Sequence, residues 1–295
     1  MASRNQARLF GVLGDPVDHS LSPAMHNAAF AATGLPHLYL RYRVPAARLA
    51  DAVREARALR MGGLNLTVPL KEAVLPLLDA LTPEAERIGA VNTLILGADG
   101  KRILGDNTDG RGFLHALGRV RLAGAPAVVI GAGGSARAVG TAIARAGCAR
   151  IVIANRSRAR GEALAERLAR LGAIETTAVP LAALARGDVL ADAALVVNTT
   201  PLGLRGGALD VRAAASPARC LFVDLVYGAS TPFLDAAARA RRPTLDGMPM
   251  LLHQGALAFQ AWTGRRAPLA AMARALALTQ PTTAHSVRAR RPPRR

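Results

Sequence analysis

Short apolar runs rich in β-branched residues alternate along this chain with Ala- and Leu-rich stretches, an order that predicts an α/β fold with parallel sheets. Residues 7–13, 38–44 and 63–68 read as strands, and 22–33 as a helix with Pro23 in its first turn. Residues 45–59 and 70–79 read as further helical stretches, followed by a shorter one at 82–88. The runs at 90–96 and 102–105 read as a hairpin turning over Asp99-Gly100. A helix over 108–118, capped near Thr108 or Asp109, comes next, and 120–126 reads as a linker between domains.

From residue 127 the pattern changes character. The apolar run 127–130 enters Gly131-Ala132-Gly133-Gly134-Ser135-Ala136-Arg137 and then a helix, with the next strand at 150–154. Strand, glycine turn, helix, strand is the order that seats a pyrophosphate on a helix N-terminus, where backbone N–H groups and the helix dipole face it. Gly131 suits the tight turn and Gly133 a close approach of backbone to phosphate, while Ala136 stands where the pattern accepts alanine. An acidic residue at the end of the second strand would take the ribose hydroxyls of NAD. Here that place reads Asn155-Arg156-Ser157-Arg158-Ala159-Arg160. Arginines there pair with the 2′-phosphate of NADP. Solvated arginines are the plainer reading of the same residues, but the missing acid weighs more, and NADP is the expected cofactor. Further strands are expected at 195–198 and 221–225, and helices at 250–262 and 268–278.

Composition narrows the class. A length of 295 residues suits two domains, and 51% hydrophobic residues exclude a disordered chain. No apolar stretch nears the ~20 residues of a membrane span, and residues 1–8 show no secretory signal pattern. Cys148 and Cys220 lie far apart in apolar segments and read as reduced core thiols of a cytoplasmic protein. No His or Cys cluster has metal-ligand spacing, so no metal is expected. The net charge of +18 raises the question of nucleic acid. Five arginines crowd the last eight residues, but aromatics are only 3% and none interleaves with them, so no specific nucleic-acid recognition is expected. The segment after Gln280 reads as disordered.

All but two of the 38 Lys and Arg residues are arginine. Arginine holds its proton, whereas a lysine ammonium exchanges one with a substrate, so the surviving lysines stand out. Lys101 reads as an ordinary hairpin residue. Lys71 closes Asn65-Leu66-Thr67-Val68-Pro69-Leu70-Lys71, where polar and apolar side chains alternate. Nearby, polar residues cluster at four places, Ser20/Ser22, Asn65/Thr67, Asn92/Thr93 and Asn107/Asp109, all read as C-terminal strand ends. Hydroxyls and amides suit a ligand rich in hydroxyls and carrying a carboxylate. Any one of them alone reads more often as a turn residue or a helix cap, and Ser22 and Thr108 suit caps.

Taken together, these segments resemble the shikimate dehydrogenase family to about Leu278. The resemblance rests on residues 14–23, 65–71, 89–93 and 105–110, then on the Gly131 turn, 198–203, 224–227, and 246–251 with Gln254. It implies an α/β protein of two domains, an N-terminal open α/β substrate domain and a Rossmann-like NADP-binding domain, with the last helices returning to the first. The implied boundaries are 1–109 plus 247–280 for the substrate domain, 110–246 for the NADP domain, and 281–295 for a basic tail. The implied activity is reversible NADP-dependent reduction of 3-dehydroshikimate to shikimate in aromatic amino acid biosynthesis. Lys71 and Asp109 match the family's catalytic pair. Ser20, Ser22 and Tyr227 match its carboxylate site, and Asn65, Thr67, Asn92, Asp109 and Gln254 the residues holding ring hydroxyls. Gly131, Ala132, Gly133, Gly134, Ser135, Ala136, Asn155, Arg156, Ser157 and Arg160 match cofactor contacts, and Thr199, Gly247 and Met250 positions near the nicotinamide. The substrate is then a small molecule and the protein a monomer or homodimer. A quinate dehydrogenase is the sister reading and a non-catalytic sensor the more distant one. Leu204 departs from the methionine frequent in the family.

Overall fold

The computed structural model describes residues 6–97, 99–203 and 207–279. The basic tail and Leu204 lie outside the described residues. The first part of the chain runs β1 (Leu9–Gly14), α1 (Ser22–Ala32), β2 (Leu38–Arg43), α2 (Leu49–Ala58), β3 (Gly63–Leu66), α3 (Leu70–Ala73), β4 (Ala80–Leu81), α4 (Pro83–Ile88), β5 (Thr93–Leu96), β6 (Ile103–Asp106) and α5 (Asp109–Leu117). Its six strands form one sheet in the order β2-β1-β3-β5-β6-β4. The sheet is mixed rather than parallel as the alternation of elements predicts, because the β5–β6 hairpin sets β5 antiparallel to both neighbours. β1 alternates its side chains across the sheet. Phe10 and Val12 join the core under α1, while Leu13 joins the opposite core with α2 and α3.

The second part runs β7 (Pro126–Ile130), α6 (Gly134–Arg145), β8 (Arg150–Asn155), α7 (Arg158–Ala169), β9 (Glu175–Pro180), α8 (Ala183–Arg186), β10 (Leu195–Asn198), β11 (Leu221–Asp224), α9 (Pro232–Arg239) and β12 (Thr244–Leu245). Its sheet is wholly parallel, in the order β12-β11-β10-β7-β8-β9. Val129 faces one core and Val128 and Ile130 the other, so both faces are covered. Chain order reverses between β7 and β10, and the carboxyl ends there form the crevice in which such sheets bind ligands.

Two final helices, α10 (Met248–Thr263) and α11 (Leu269–Leu278), pack back onto α1 and the first sheet through Leu251, Phe259, Met272 and Leu276. α5 runs between α6 and α10. A Cβ at Gly110 would lie 2.8 Å from the Ala138 carbonyl, and one at Gly112 would lie 2.6 Å from the Gln254 nitrogen. These two glycines let α5 lie against both helices, while Phe113 and Leu117 enter the core of the second sheet.

Candidate active site

β3 ends at Leu66, and the buried Leu70 anchors α3 directly after it, which aims Lys71 into the cleft between the two sheets. Lys71 Nζ donates to Asp109 Oδ2 at 2.6 Å and to Ser135 Oγ at 2.9 Å. The ion pair is largely withdrawn from solvent, with side-chain exposures of 13% and 6%. Asp109 opens α5, and its backbone N–H donates to Asn107 Oδ1. Its other carboxylate oxygen accepts from Asn92 Nδ2 at 2.7 Å. Neither oxygen is left to turn freely, so the carboxylate is fixed relative to the ammonium.

Behind this pair lies a closed polar network. Asn92 Oδ1 accepts from the Thr108 N–H and from the Thr93 hydroxyl. Asn65 Nδ2 donates to Thr93 Oγ1 and to the Asn92 carbonyl, and the Tyr39 hydroxyl donates to Asn65 Oδ1 at 2.7 Å. Burial pushes the Tyr39 phenol well above its ordinary range. In front of the network is a cavity of about 160 Å³. Ser20, Ser22, Asn65, Thr67, Lys71, Asn92, Asp109, Tyr227 and Gln254 all line it. Burial likewise raises the Tyr227 phenol, with Ser20 and the Leu21 main chain pulling the other way.

The residues arrive there partly by routes other than expected. Asn92 lies just before β5 and Thr93 opens it instead of ending a strand, and its antiparallel run brings them to the same edge as Asn65. Ser22 is the first residue of α1 and does not cap it, and the Ser22 N–H donates to Ser20 Oγ instead. Thr108 does not cap α5 through its side chain, because Asn92 occupies its hydroxyl. Two contacts of the site have no counterpart in the sequence pattern. Tyr39 sits in an edge strand and carries no local signal, and Ser135 meets Lys71 only through the fold.

A second cavity of about 470 Å³ opens at the carboxyl ends of β7, β8 and β10, with Lys71 and Ser135 on the wall it shares with the first. Gly131 sits at φ +109°, and Thr199 Oγ1 would meet a side chain there at 2.6 Å. At Gly133 an added Cβ meets nothing within 4 Å, and no side chain caps the α6 N-terminus among the described residues. That is the cradle a dinucleotide pyrophosphate requires, and the residues present fit it. Ala132, Gly134, Asn155, Arg156, Arg160 and Thr199 line the same cavity. Ala136 is wholly buried beneath the turn, and the Ser157 hydroxyl caps α7 by accepting from the Arg160 N–H. Gly247 and Met250 line the first cavity, at its boundary with the second sheet. One charged lining residue carries no sequence expectation of its own. Glu72, next to Lys71 on α3, pairs with Arg137 at 2.8 Å and with Arg160 at 3.3 Å.

Comparison with known proteins agrees with this geometry. Three family models match: the shikimate dehydrogenase substrate binding domain over residues 12–94, shikimate / quinate 5-dehydrogenase over 115–225, and the shikimate 5′-dehydrogenase C-terminal domain over 247–277. The shikimate dehydrogenase (NADP(+)) of Symbiobacterium thermophilum is 46% identical, covering 92% of this chain and 94% of its own. The crystal structure of the Thermus thermophilus shikimate 5-dehydrogenase in complex with NADP(H) and shikimate superposes with a TM-score of 0.79 at 41% identity, covering 92% of this chain and 99% of that one. Quinate dehydrogenase from Corynebacterium glutamicum, in complex with NAD, reaches 0.81 at 33% identity, covering 93% and 100%. With matching models at both ends and relatives above 40% identity over nine-tenths of its length, this chain belongs to the shikimate dehydrogenase family.

Proposed function

We propose that this protein catalyses the reversible NADP-dependent reduction of 3-dehydroshikimate to shikimate, a step towards the aromatic amino acids. The observation that carries the reading is Lys71. It lines both cavities, so its ammonium stands where a substrate and a nicotinamide would meet. NADPH, when bound, supplies the hydride. The substrate carbonyl gains negative charge on oxygen as it is reduced, and the Lys71 ammonium neutralises that charge by giving up a proton. Asp109 holds Nζ in place before transfer, and in the oxidising direction the same pair takes the hydroxyl proton. Ser20 and Ser22, with Tyr227 beside Ser20, receive the carboxylate. Asn65, Thr67, Asn92 and Gln254 order the ring hydroxyls. Since Asn92 spends both amide atoms on Asp109, Thr93 and Thr108, its first task is to orient Asp109.

Gly131 to Ala136, with Thr199, take the pyrophosphate and nicotinamide side of NADP, joined by Gly247 and Met250. Asn155, Arg156, Ser157 and Arg160 take the adenosine end. We assign residues 1–109 and 247–280 to the substrate domain and 110–246 to the NADP domain. In this reading the protein acts on a small molecule, as a monomer or homodimer. Both thiols are free and buried, with burial pushing each up to about 11, in keeping with a reducing cytoplasm. Among the described residues no helix is long and apolar enough to cross a membrane.

The test offers the purified protein shikimate and quinate, each with NADP⁺ and with NAD⁺, and follows absorbance of the reduced nicotinamide. Turnover should be fastest with shikimate and NADP⁺. A comparable rate with quinate or NAD⁺ would move the protein to the dual-specificity branch, and no turnover with any pair would refute the activity.

A further inference from the structure

Glu72 belongs to the first sheet's half of the molecule, yet its carboxylate is spent entirely on the other half. Oε2 meets Arg137 of α6 at 2.8 Å, and Oε1 meets Arg160 of α7 at 3.3 Å. The two pairs differ. Arg137 is 27% exposed and also donates to the Gly89 carbonyl, which ties it to the first half a second time. Arg160 is 59% exposed, and its second contact is a 3.4 Å hydrogen bond to the Ala132 carbonyl within the glycine turn. Arg167 stands near the same group. Burial, with Arg137 and Arg170 nearby, holds its guanidinium below the usual range, and Glu72 pulls the other way. Glu72 is therefore a carboxylate set among arginines at the wall of the second cavity, alongside Arg156 and Arg160.

We propose that Glu72 is a specificity-determining residue that competes with the 2′-phosphate of the dinucleotide for Arg160, and so moderates the preference for NADP over NAD. The inference rests on the NADP reading above. A phosphate dianion arriving beside Arg156 and Arg160 meets a guanidinium already engaged by Glu72, and a negative charge in the same cavity. A nucleotide without that phosphate needs no release of Arg160 and feels only the distant charge. The competing pair is exposed and long, so its hold is weak and its removal shows as a modest change in affinity rather than loss of the fold. Arg137 keeps its Gly89 contact in either state, which leaves the junction of the two halves intact.

The test is calorimetric and needs no turnover. Adenosine 2′,5′-bisphosphate, 5′-AMP, NADP⁺ and NAD⁺ are titrated into the wild-type chain and into Glu72→Gln. The variant should bind the two 2′-phosphorylated ligands about three- to tenfold more tightly and the other two within about twofold of wild type. The gain should shrink at high salt, and vanish in an Arg160→Gln background. An equal change for all four ligands, or weaker binding of the 2′-phosphorylated pair, would overturn the inference while leaving the NADP reading standing. A wild-type protein that binds NADP⁺ no better than NAD⁺ would overturn both.

Discussion

The Lys71 ammonium has two partners of different kinds, a fixed carboxylate from the first half of the molecule and a hydroxyl from the glycine turn of the second. Asp109→Asn keeps the shape and the Asn92 contact but removes the charge that orients Nζ. It should lower kcat by about 10²-fold or more with the melting temperature little changed, as steady-state kinetics and thermal unfolding would show. Near-normal turnover would remove Asp109 from the catalytic pair. Tyr39 acts one step further back. Its phenol is wholly buried, and Tyr39→Phe leaves Asn65 Oδ1 without its donor. A buried acceptor stripped of its partner costs about 1–3 kcal/mol, and the loosened Asn65 should raise KM for shikimate more than it lowers kcat. An unchanged KM and melting temperature would show that the network tolerates the gap. Lys71 is legible from sequence because an Arg-rich chain makes a motif lysine conspicuous, whereas Asp109 stands out only as one of a polar cluster and takes its role from the family resemblance. Tyr39 is not legible, because nothing in its neighbours tells a buried phenol with a partner from an ordinary strand residue.

At the level of elements, long periodic segments are legible and short or edge ones are not. β4, β9 and β12 escape because two-residue strands have no period, and because Glu175-Thr176-Thr177 is as polar as a loop. β2 inverts the usual rule, with Leu38 and Leu40 exposed and Tyr39 buried, since only one face of this edge strand meets α1. The parallel sheet expected of the first half gives way to a mixed one through a hairpin that the sequence itself predicts. α5 shows what close packing requires. Gly112→Ala would drive a Cβ into the backbone of α10 beside Gln254, and overpacking of this kind costs about 1–3 kcal/mol. The variant should melt at a lower temperature and lose kcat/KM for shikimate, because Gln254 lines the substrate cavity. Gly172→Ala, with nothing within 4 Å, serves as the control and should do neither. Equal behaviour of the two variants would contradict the packing argument.

Across the whole molecule, the contacts that join the halves are invisible in sequence. Lys71 meets Ser135 across 64 positions and Glu72 meets Arg160 across 88, separations at which no local pattern carries information. The return of α10 and α11 to the first sheet is legible only through the family resemblance. That returning layer also buries His26, stacked on Tyr39 at 4.4 Å with neither ring nitrogen partnered. Burial lowers this imidazole from 6.5 to about 3, so it stays neutral in the fold while the unfolded chain protonates. The unfolded state then binds the extra proton, and stability falls as pH drops from 6.5 towards 3, by up to about 1.4 kcal/mol per pH unit. His26→Phe keeps the stack without the titration. Its denaturant-measured stability should fall less steeply over that window than the wild type's, and parallel curves would show that His26 carries no linkage. The central claim is that Lys71, placed where the two cavities join, moves the proton that accompanies hydride transfer. The most direct test measures shikimate-dependent reduction of NADP⁺ by Lys71→Ala beside the wild type. A kcat lower by about 10²- to 10⁴-fold, with KM for shikimate within a few-fold, is the expected result. Turnover within a few-fold of wild type would contradict it.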